Sequence, residues 1–349
     1  MKKHLKHIIF CLLLFIAIQP SFAQNNSDEQ SLRLMFYNVE NLFDTYNDSL
    51  KRDDDFTPEG NNRWNWWRYN DKLQKTSKII MAVGEWGTVD IVGFAEIENR
   101  FVLEELLNKT PLINSGYEIV HEESPDNRGI DVGLIYLKDK LKLLEWEALE
   151  VKFPEENAWP TRDVLYAKFL VFEKDTLHTF VNHWPSRYGG QVATEPKRML
   201  AAQVIVNKMD EIEKRDANAN IFITGDLNDE PEDISVKEVL NAHKKPEDGH
   251  LINLTANLGW NIGTHKYQGQ WSVLDHIIIS KALWYGKRNL KVKNQRAHVF
   301  SQDWLLEEDP THQGVKPNRT YLGPRYNGGY SDHLPVYVDI KLINLRQSN

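Results

Sequence analysis

Short apolar runs rich in Val, Ile and Phe recur from one end of the chain to the other. They fall at residues 32–37, 90–95, 117–121, 131–137, 165–172, 179–182, 221–224, 276–280 and 336–340. Runs of four to eight residues with this composition predict strands rather than helices. Several are apolar on both faces, which suits strands in the middle of covered sheets. Between them, residues 71–83, 99–107 and 195–212 place apolar positions near a 3.6 period and predict helices. Leu73, Ile79, Ile80 and Val83 make that stripe in the first, and Pro196 is expected in the first turn of the last. Nine strands with fewer helices predict an α/β (α+β) class with two packed sheets covered by helices.

The start of the chain breaks this pattern. Lys2, Lys3 and Lys6 precede an unbroken apolar run over residues 8–18, and Ser21 and Ala23 put small residues at a cleavage site. The run is about half the roughly 20 residues that span a bilayer, so no stable membrane anchor is expected. Residues 1–23 read as a signal peptide cut after Ala23, 24–30 as a short polar leader, and 31–344 as one catalytic domain. The expected location is secreted or periplasmic. Neither a Pro/Gly/Ser-rich linker nor an internal repeat divides the remainder, and a hydrophobic content of 41% supports a real core. A monomer is expected.

Composition narrows the chemistry. Cys11, inside the apolar run, is the only cysteine, so the mature chain has no disulfide, thiol nucleophile or cysteine metal site. Removing the three lysines from the formal net charge of -8 leaves about -11. That acidity disfavours tight non-specific binding to nucleic acid, although a bound metal can supply positive charge locally.

Two segments carry the densest candidate chemistry: Gly225-Asp226-Leu227-Asn228 and Ser331-Asp332-His333. Each follows or precedes an apolar strand. Asp226 can hold water or take its proton, Asn228 can donate to an anionic oxygen, and Asp332-His333 sets a carboxylate beside an imidazole. They lie 106 positions apart, so only folding unites them. Asn38, Glu96, His183, Asp226, Asn228, Asp275 and Asp332 all fall at or just beyond strand edges. A lone strand-end Glu is ordinarily just solvated and a lone Asn ordinarily makes a turn. Seven such groups at one rim of a sandwich make a cleft.

In these segments the chain resembles the endonuclease/exonuclease/phosphatase superfamily, deoxyribonuclease I-like. The matching stretches are Phe36-Tyr37-Asn38-Val39-Glu40-Asn41, Gly93-Phe94-Ala95-Glu96-Ile97-Glu98, Val181-Asn182-His183-Trp184-Pro185-Ser186, Gly225-Asp226-Leu227-Asn228, Leu274-Asp275-His276 and Ser331-Asp332-His333, in the family's order. The resemblance implies a four-layer αββα sandwich and hydrolysis of a phosphoester with Mg²⁺ or Mn²⁺. It implies Asn38, Glu96 and Asp332 at the metal, and His183, Asp226, Asn228, Asp275 and His333 as catalytic groups. Asp275 would orient His333, while either His333 or Asp226 could be the general base. Arg187, Arg319 and Arg325 are candidate contacts to a substrate phosphate; Arg198 and Glu98 are weaker candidates of the same kinds. His276 is expected to face away from the site.

Two stretches are particular to this chain. Residues 64–69 concentrate aromatics that could stack on bases, though packing at a helix start explains them as simply. Residues 301–329 are long, polar and turn-rich and run directly into Ser331, so they are expected to border the cleft. The expected partner is a phosphoester, nucleic acid first. A phosphatase or lipid-headgroup phosphodiesterase is the alternative, and a non-catalytic binding module on the same scaffold the remote one.

Overall fold

All nine apolar runs form strands in the computed structural model, which describes residues 30–85, 88–155, 158–258 and 262–343. The signal-type segment lies outside the described residues. In chain order the first elements are β1 (Ser31–Leu42), α1 (Trp66–Val83), β2 (Ile91–Ile97), α2 (Arg100–Asn108), β3 (Tyr117–His121), β4 (Asp131–Leu137) and β5 (Leu141–Leu149). Then come β6 (Val164–Val171), β7 (Asp175–His183), α3 (Gln191–Arg215), β8 (Asn220–Asp226), β9 (Ala242–His243) and β10 (Leu251–Asn253). The last are β11 (Asp275–Ser280), α4 (Lys281–Tyr285), β12 (Leu290–Val292) and β13 (Val336–Leu342).

Two sheets result. One runs β12-β13-β1-β2-β4-β3 and the other β5-β6-β7-β8-β11-β10-β9. Side-chain alternation assigns the layers. Leu34 and Phe36 point between the sheets, against Val181, Phe222 and Ile277. Met35 and Tyr37 point outward, onto Leu73 and Ile80 of α1 and Leu106 of α2. On the far side Phe180, Ile221 and Ile223 pack under Ala202, Ile205 and Met209 of α3. Each fully buried aliphatic or aromatic side chain contributes about 1.5–3 kcal/mol. The order helix, sheet, sheet, helix makes a four-layer αββα sandwich.

Helix boundaries follow local chemistry. The Asn65 side chain accepts from the Trp67 and Arg68 amides, so α1 starts earlier than its apolar stripe. Asn99 caps α2 by accepting from Val102 N. Pro196 does not stand in the first turn of α3, contrary to expectation. The helix begins a turn upstream, at Gln191, directly after Gly189 and Gly190, whose φ of 92° and 112° suit glycine. Pro196 is tolerated inside because the turn it disrupts faces solvent, with Val192 83% exposed.

The topology places the site. β1 and β2 are parallel, as are β7 and β8, so each pair ends at one rim. β11 runs antiparallel to β8, and β13 antiparallel to β1, so their beginnings meet those ends. Strand ends bearing Asn38, Glu96, His183 and Asp226 thus face strand starts bearing Asp275 and the Asp332-His333 pair.

Candidate active site

The two halves of the sandwich meet through side chains. Asn38, late in β1, donates from Nδ2 to Oδ2 of Asp226, the last residue of β8, at 3.0 Å. The other Asp226 oxygen, Oδ1, accepts from the Asn228 amide at 2.9 Å. Asn228 adopts φ 50° to turn that amide back, a backbone strain of the kind functional rims keep. Gly225 lets β8 come close to β7 just before Asp226, since a Cβ there would stand 2.4 Å from the Asn182 carbonyl oxygen.

His333 lies against both carboxylates of this half. Its Nδ1 donates to Asp275 Oδ2 at 2.7 Å, and its Nε2 is 3.6 Å from Asp226 Oδ2. Ser331 fixes the approach: its hydroxyl donates to the Asn38 carbonyl at 2.7 Å and accepts from the His333 amide at 3.0 Å. Burial pulls the His333 imidazole towards the neutral form, but Asp275 and Asp226 outweigh it and hold the ring well above its ordinary value. Burial pushes Asp226 up to about 7, against the pull of His333 and with the help of Asp275. An imidazolium held by a carboxylate thus faces a carboxyl that titrates near neutrality.

His183 ends β7 with Nε2 3.7 Å from Asp226 Oδ2 and 4.0 Å from Glu96 Oε1. Burial keeps this imidazole neutral, far below its ordinary value. Its Nδ1 is buried without a hydrogen-bond partner among the described residues. Asn228 Nδ2 donates to the Trp184 carbonyl at 2.9 Å, which uses one of its two N–H bonds.

A second, more acidic half surrounds the end of β1. Glu96, at φ 63°, accepts from the Asn41 amide at 2.9 Å. Arg319 bridges two further carboxylates, with Nε 3.0 Å from Glu40 Oε1 and Nη2 2.9 Å from Asp332 Oδ2. Burial would raise Asp332, but the Arg319 guanidinium overrides it and holds the carboxyl at about 2. Burial, then Asp332, lifts Glu40 to about 7. Lys72 of α1 is 1% exposed and donates to Thr320 Oγ1 at 2.6 Å and to the Tyr330 carbonyl at 2.5 Å. Burial lowers this amine to about 8, with Glu40 opposing.

In donor type, this half suits a hard divalent cation. Glu96, Asp332 and Glu40 offer carboxylate oxygens and Asn38 an amide oxygen, the donor set that Mg²⁺ or Mn²⁺ takes. The pocket already accepts positive charge, since Arg319 joins Glu40 to Asp332.

Residues 301–329 form one wall of this half. Besides Arg319, the Thr320 amide donates to Glu40 Oε2 at 2.7 Å. Arg187 lies on the other side, donating to the Asn228 carbonyl at 2.7 Å and to Asp233 at 2.7 Å. Arg325 is not brought in: it is exposed on a small hairpin, and no contact among the described residues ties it to the cluster. Arg198 pairs with Asp229 at 2.7 Å inside the core. Glu98 accepts from the Asp44 amide, and His276 faces Asn253 and the Asp229 carbonyl behind the sheet. Of the aromatics at 64–69, Trp64 and Tyr69 are core residues, whereas Trp66 and Trp67 are 47% and 67% exposed.

Three site residues escaped the sequence reading. Glu40 stands two positions after Asn38, which was the available signal. Lys72 looked like any helix lysine. His265, whose ring centroid is 4.7 Å from that of His333 and whose nitrogen lies with Asp332 and His333 within 4.8 Å, follows no motif. Burial and His333 bring its imidazole down to about 4.

Two clefts open beside the cluster. One, about 710 Å³, is lined by Arg187, Tyr188, Asn228, His265, Tyr267 and Gln270. The other, about 350 Å³, is lined by Glu40, Asn41, Arg319 and Thr320. Tyr188 and Tyr267 are 93% and 67% exposed at the first.

The architecture is shared with solved structures. The human nocturnin catalytic domain superposes with a TM-score of 0.54 at 17% identity, covering 90% of this chain and 95% of that one. A mannosyl-6-phosphatase from Bacteroides thetaiotaomicron gives 0.54 at 16%, covering 90% and 100%. TDP2 from D. rerio, solved with a single-strand DNA product, gives 0.54 at 16%, covering 89% and 99%. These likenesses establish the fold. No curated protein matches in sequence. The sequence pattern of the Endonuclease/Exonuclease/phosphatase family matches residues 33–342, nearly all of the described chain, and the protein belongs to that family of metal-dependent phosphoester hydrolases.

Proposed function

We propose that the chain is a phosphodiesterase working outside the cytoplasm, cleaving nucleic-acid phosphodiesters with Mg²⁺ or Mn²⁺. The domain at residues 31–344 would act after removal of residues 1–23. The observation that carries this reading is the Asn38–Asp226–His333–Asp275 chain of contacts.

Each residue has a role that its surroundings support. Asp226, gripped at both oxygens and titrating near 7, orients a water and takes its proton as the water attacks phosphorus. His333, kept as imidazolium by Asp275, presents its Nε2 proton to the phosphoryl oxygen where charge builds. Neutral His183 and the second N–H of Asn228 donate on the same side. Glu96 and Asp332, with Asn38 and Glu40 adjacent, would hold the cation, which would supply positive charge for the phosphoryl and leaving oxygens. Arg319 would tune that charge rather than grip substrate, because both of its contacts are carboxylates.

The first cleft favours a polymeric substrate. Tyr188 and Tyr267 offer exposed rings for stacking on bases, and Arg187 borders the same space. A phosphomonoesterase is the second reading. The formal charge of -8, about -11 without Lys2, Lys3 and Lys6, opposes polyanion binding, and a sugar phosphatase shares the fold.

Parallel assays with Mn²⁺ separate the two. Nicking of supercoiled plasmid that falls steeply with salt is expected. Release of inorganic phosphate from soluble monoesters without any nicking would replace this reading with the phosphatase.

A further inference from the structure

Among the described residues outside the rim cluster, one group of side chains has the composition of a metal site. His121 closes β3, Asp131 opens the neighbouring β4, and Glu123 lies between them. One ligand atom from each lies within 4.8 Å of the others. His121 and Asp131 are 7% and 1% exposed, while Glu123 reaches solvent.

The two buried members are unsatisfied in an informative way. His121 Nε2 and Asp131 Oδ2 stand 3.3 Å apart. Those two atoms make no hydrogen bond of good geometry among the described residues, although the Glu123 carboxyl lies within hydrogen-bonding reach of Asp131. The second oxygen of Asp131 is engaged by the Ser124 amide at 2.9 Å and by its hydroxyl, so the free one is committed towards the imidazole. Across the ladder from His121 stands Gly133, where a Cβ would come within 2.9 Å of Leu103 Cδ1 and would meet the imidazole Cδ2 at an ordinary 3.7 Å. Asp163, near enough to Asp131 for their charges to interact, also keeps a buried oxygen unpartnered. Buried polar atoms are ordinarily paired, and two unpaired ones standing together, His121 Nε2 and Asp131 Oδ2, indicate a missing partner.

We propose that His121, Glu123 and Asp131 bind a divalent transition-metal cation, Zn²⁺ or Mn²⁺, separate from the catalytic centre. One imidazole with two carboxylates suits such an ion better than the all-oxygen set preferred by Mg²⁺ or Ca²⁺. Glu123, at the surface, gives the ion its way in. The cation would clamp the two ends of the segment joining β3 to β4. That segment carries Asp126, paired with buried Arg162 at 3.0 Å. It also carries Arg128, which donates to Asn41 Oδ1 at 2.7 Å and lies 3.9 Å from Glu96. The ion therefore acts as a brace for one side of the rim and takes no part in hydrolysis.

The test is calorimetric titration of chelator-stripped protein with Zn²⁺ in an Asp332→Asn/His333→Ala background. That background disrupts both rim groups able to hold an ion with histidine. One Zn²⁺ per chain is expected there. Adding His121→Gln should weaken it by at least about the 100-fold that losing even an outer partner can cause. Glu123→Gln should weaken it too, and at an exposed position it leaves folding intact, as circular dichroism would verify. Should His121→Gln fail to fold, the Glu123→Gln titration decides. Zn²⁺ affinity unchanged by either folded variant, or no binding by the folded background protein, would overturn the proposal.

Discussion

His333 Nδ1 lies 2.7 Å from Asp275 Oδ2, a contact between residues that introduce strands of opposite sheets. It fixes the ring so that Nε2 faces Asp226. Asp275→Asn should leave the fold intact and lower kcat by about 10²–10⁴-fold, the range seen when a carboxylate that orients histidine is lost. KM should move little. Steady-state kinetics of the variant check this, and a wild-type kcat would contradict the orienting role.

Lys72 should matter for stability. Its fully buried amine joins α1 to Thr320 and to the Tyr330 carbonyl, and its charge offsets Glu40. Lys72→Met removes one partner of a buried charged group, which costs about 3–5 kcal/mol. Urea denaturation would measure the loss. A change within error would mean that water replaces the amine.

Metal dependence follows from the oxygen-rich half of the site. Chelator should abolish turnover, and Mg²⁺ or Mn²⁺ should restore it; Ca²⁺, which tolerates looser geometry, should bind and support less. Turnover that persists in excess chelator would remove the metal from the account.

Acid should weaken the fold through histidines outside the site. Burial brings His178, bonded to the Tyr166 hydroxyl, and His276, wedged against Asn253, down to about 4 from 6.5. Their folded values are depressed, so between these limits the unfolded chain binds more protons. The stability is fully present above pH 6.5 and is lost as pH falls towards 4. The difference in unfolding free energy between wild type and His178→Gln, followed over that range, isolates one of them. A difference independent of pH would contradict the assignment.

The parts of the fold legible in the sequence were those set by local pattern. Buried strands such as β2 and β8 announce themselves because both faces are apolar, and Asn38, Glu96, His183 and Asp226 could be read as their ends. β5 carries no such pattern: it is an edge strand whose Lys142, Glu145 and Glu147 face solvent, so its apolar signal is diluted. Residues 301–329 read as a loop yet contain paired short strands, Leu306–Glu308 with Val315–Pro317 and Tyr321–Leu322 with Arg325–Tyr326. Lys72, Glu40 and His265 belong to the site only through contacts made across the fold. The Glu40–Arg319 pair joins positions 279 apart. No local pattern encodes such a contact, whereas Arg325, with the same chemistry six residues on, stays outside.

The central claim is that Asp226, at the junction of the two halves, handles the attacking water of a metal-dependent reaction. Hydrolysis of bis(p-nitrophenyl) phosphate by wild type and Asp226→Asn, each with Mn²⁺ and with chelator, tests it most directly. The account predicts Mn²⁺-dependent turnover by wild type and a loss of at least about 10³-fold in the variant. The melting temperature should fall only modestly, because asparagine forfeits one of the two accepted hydrogen bonds while Asp275 still neutralises His333. Wild-type turnover by a folded Asp226→Asn protein would contradict it.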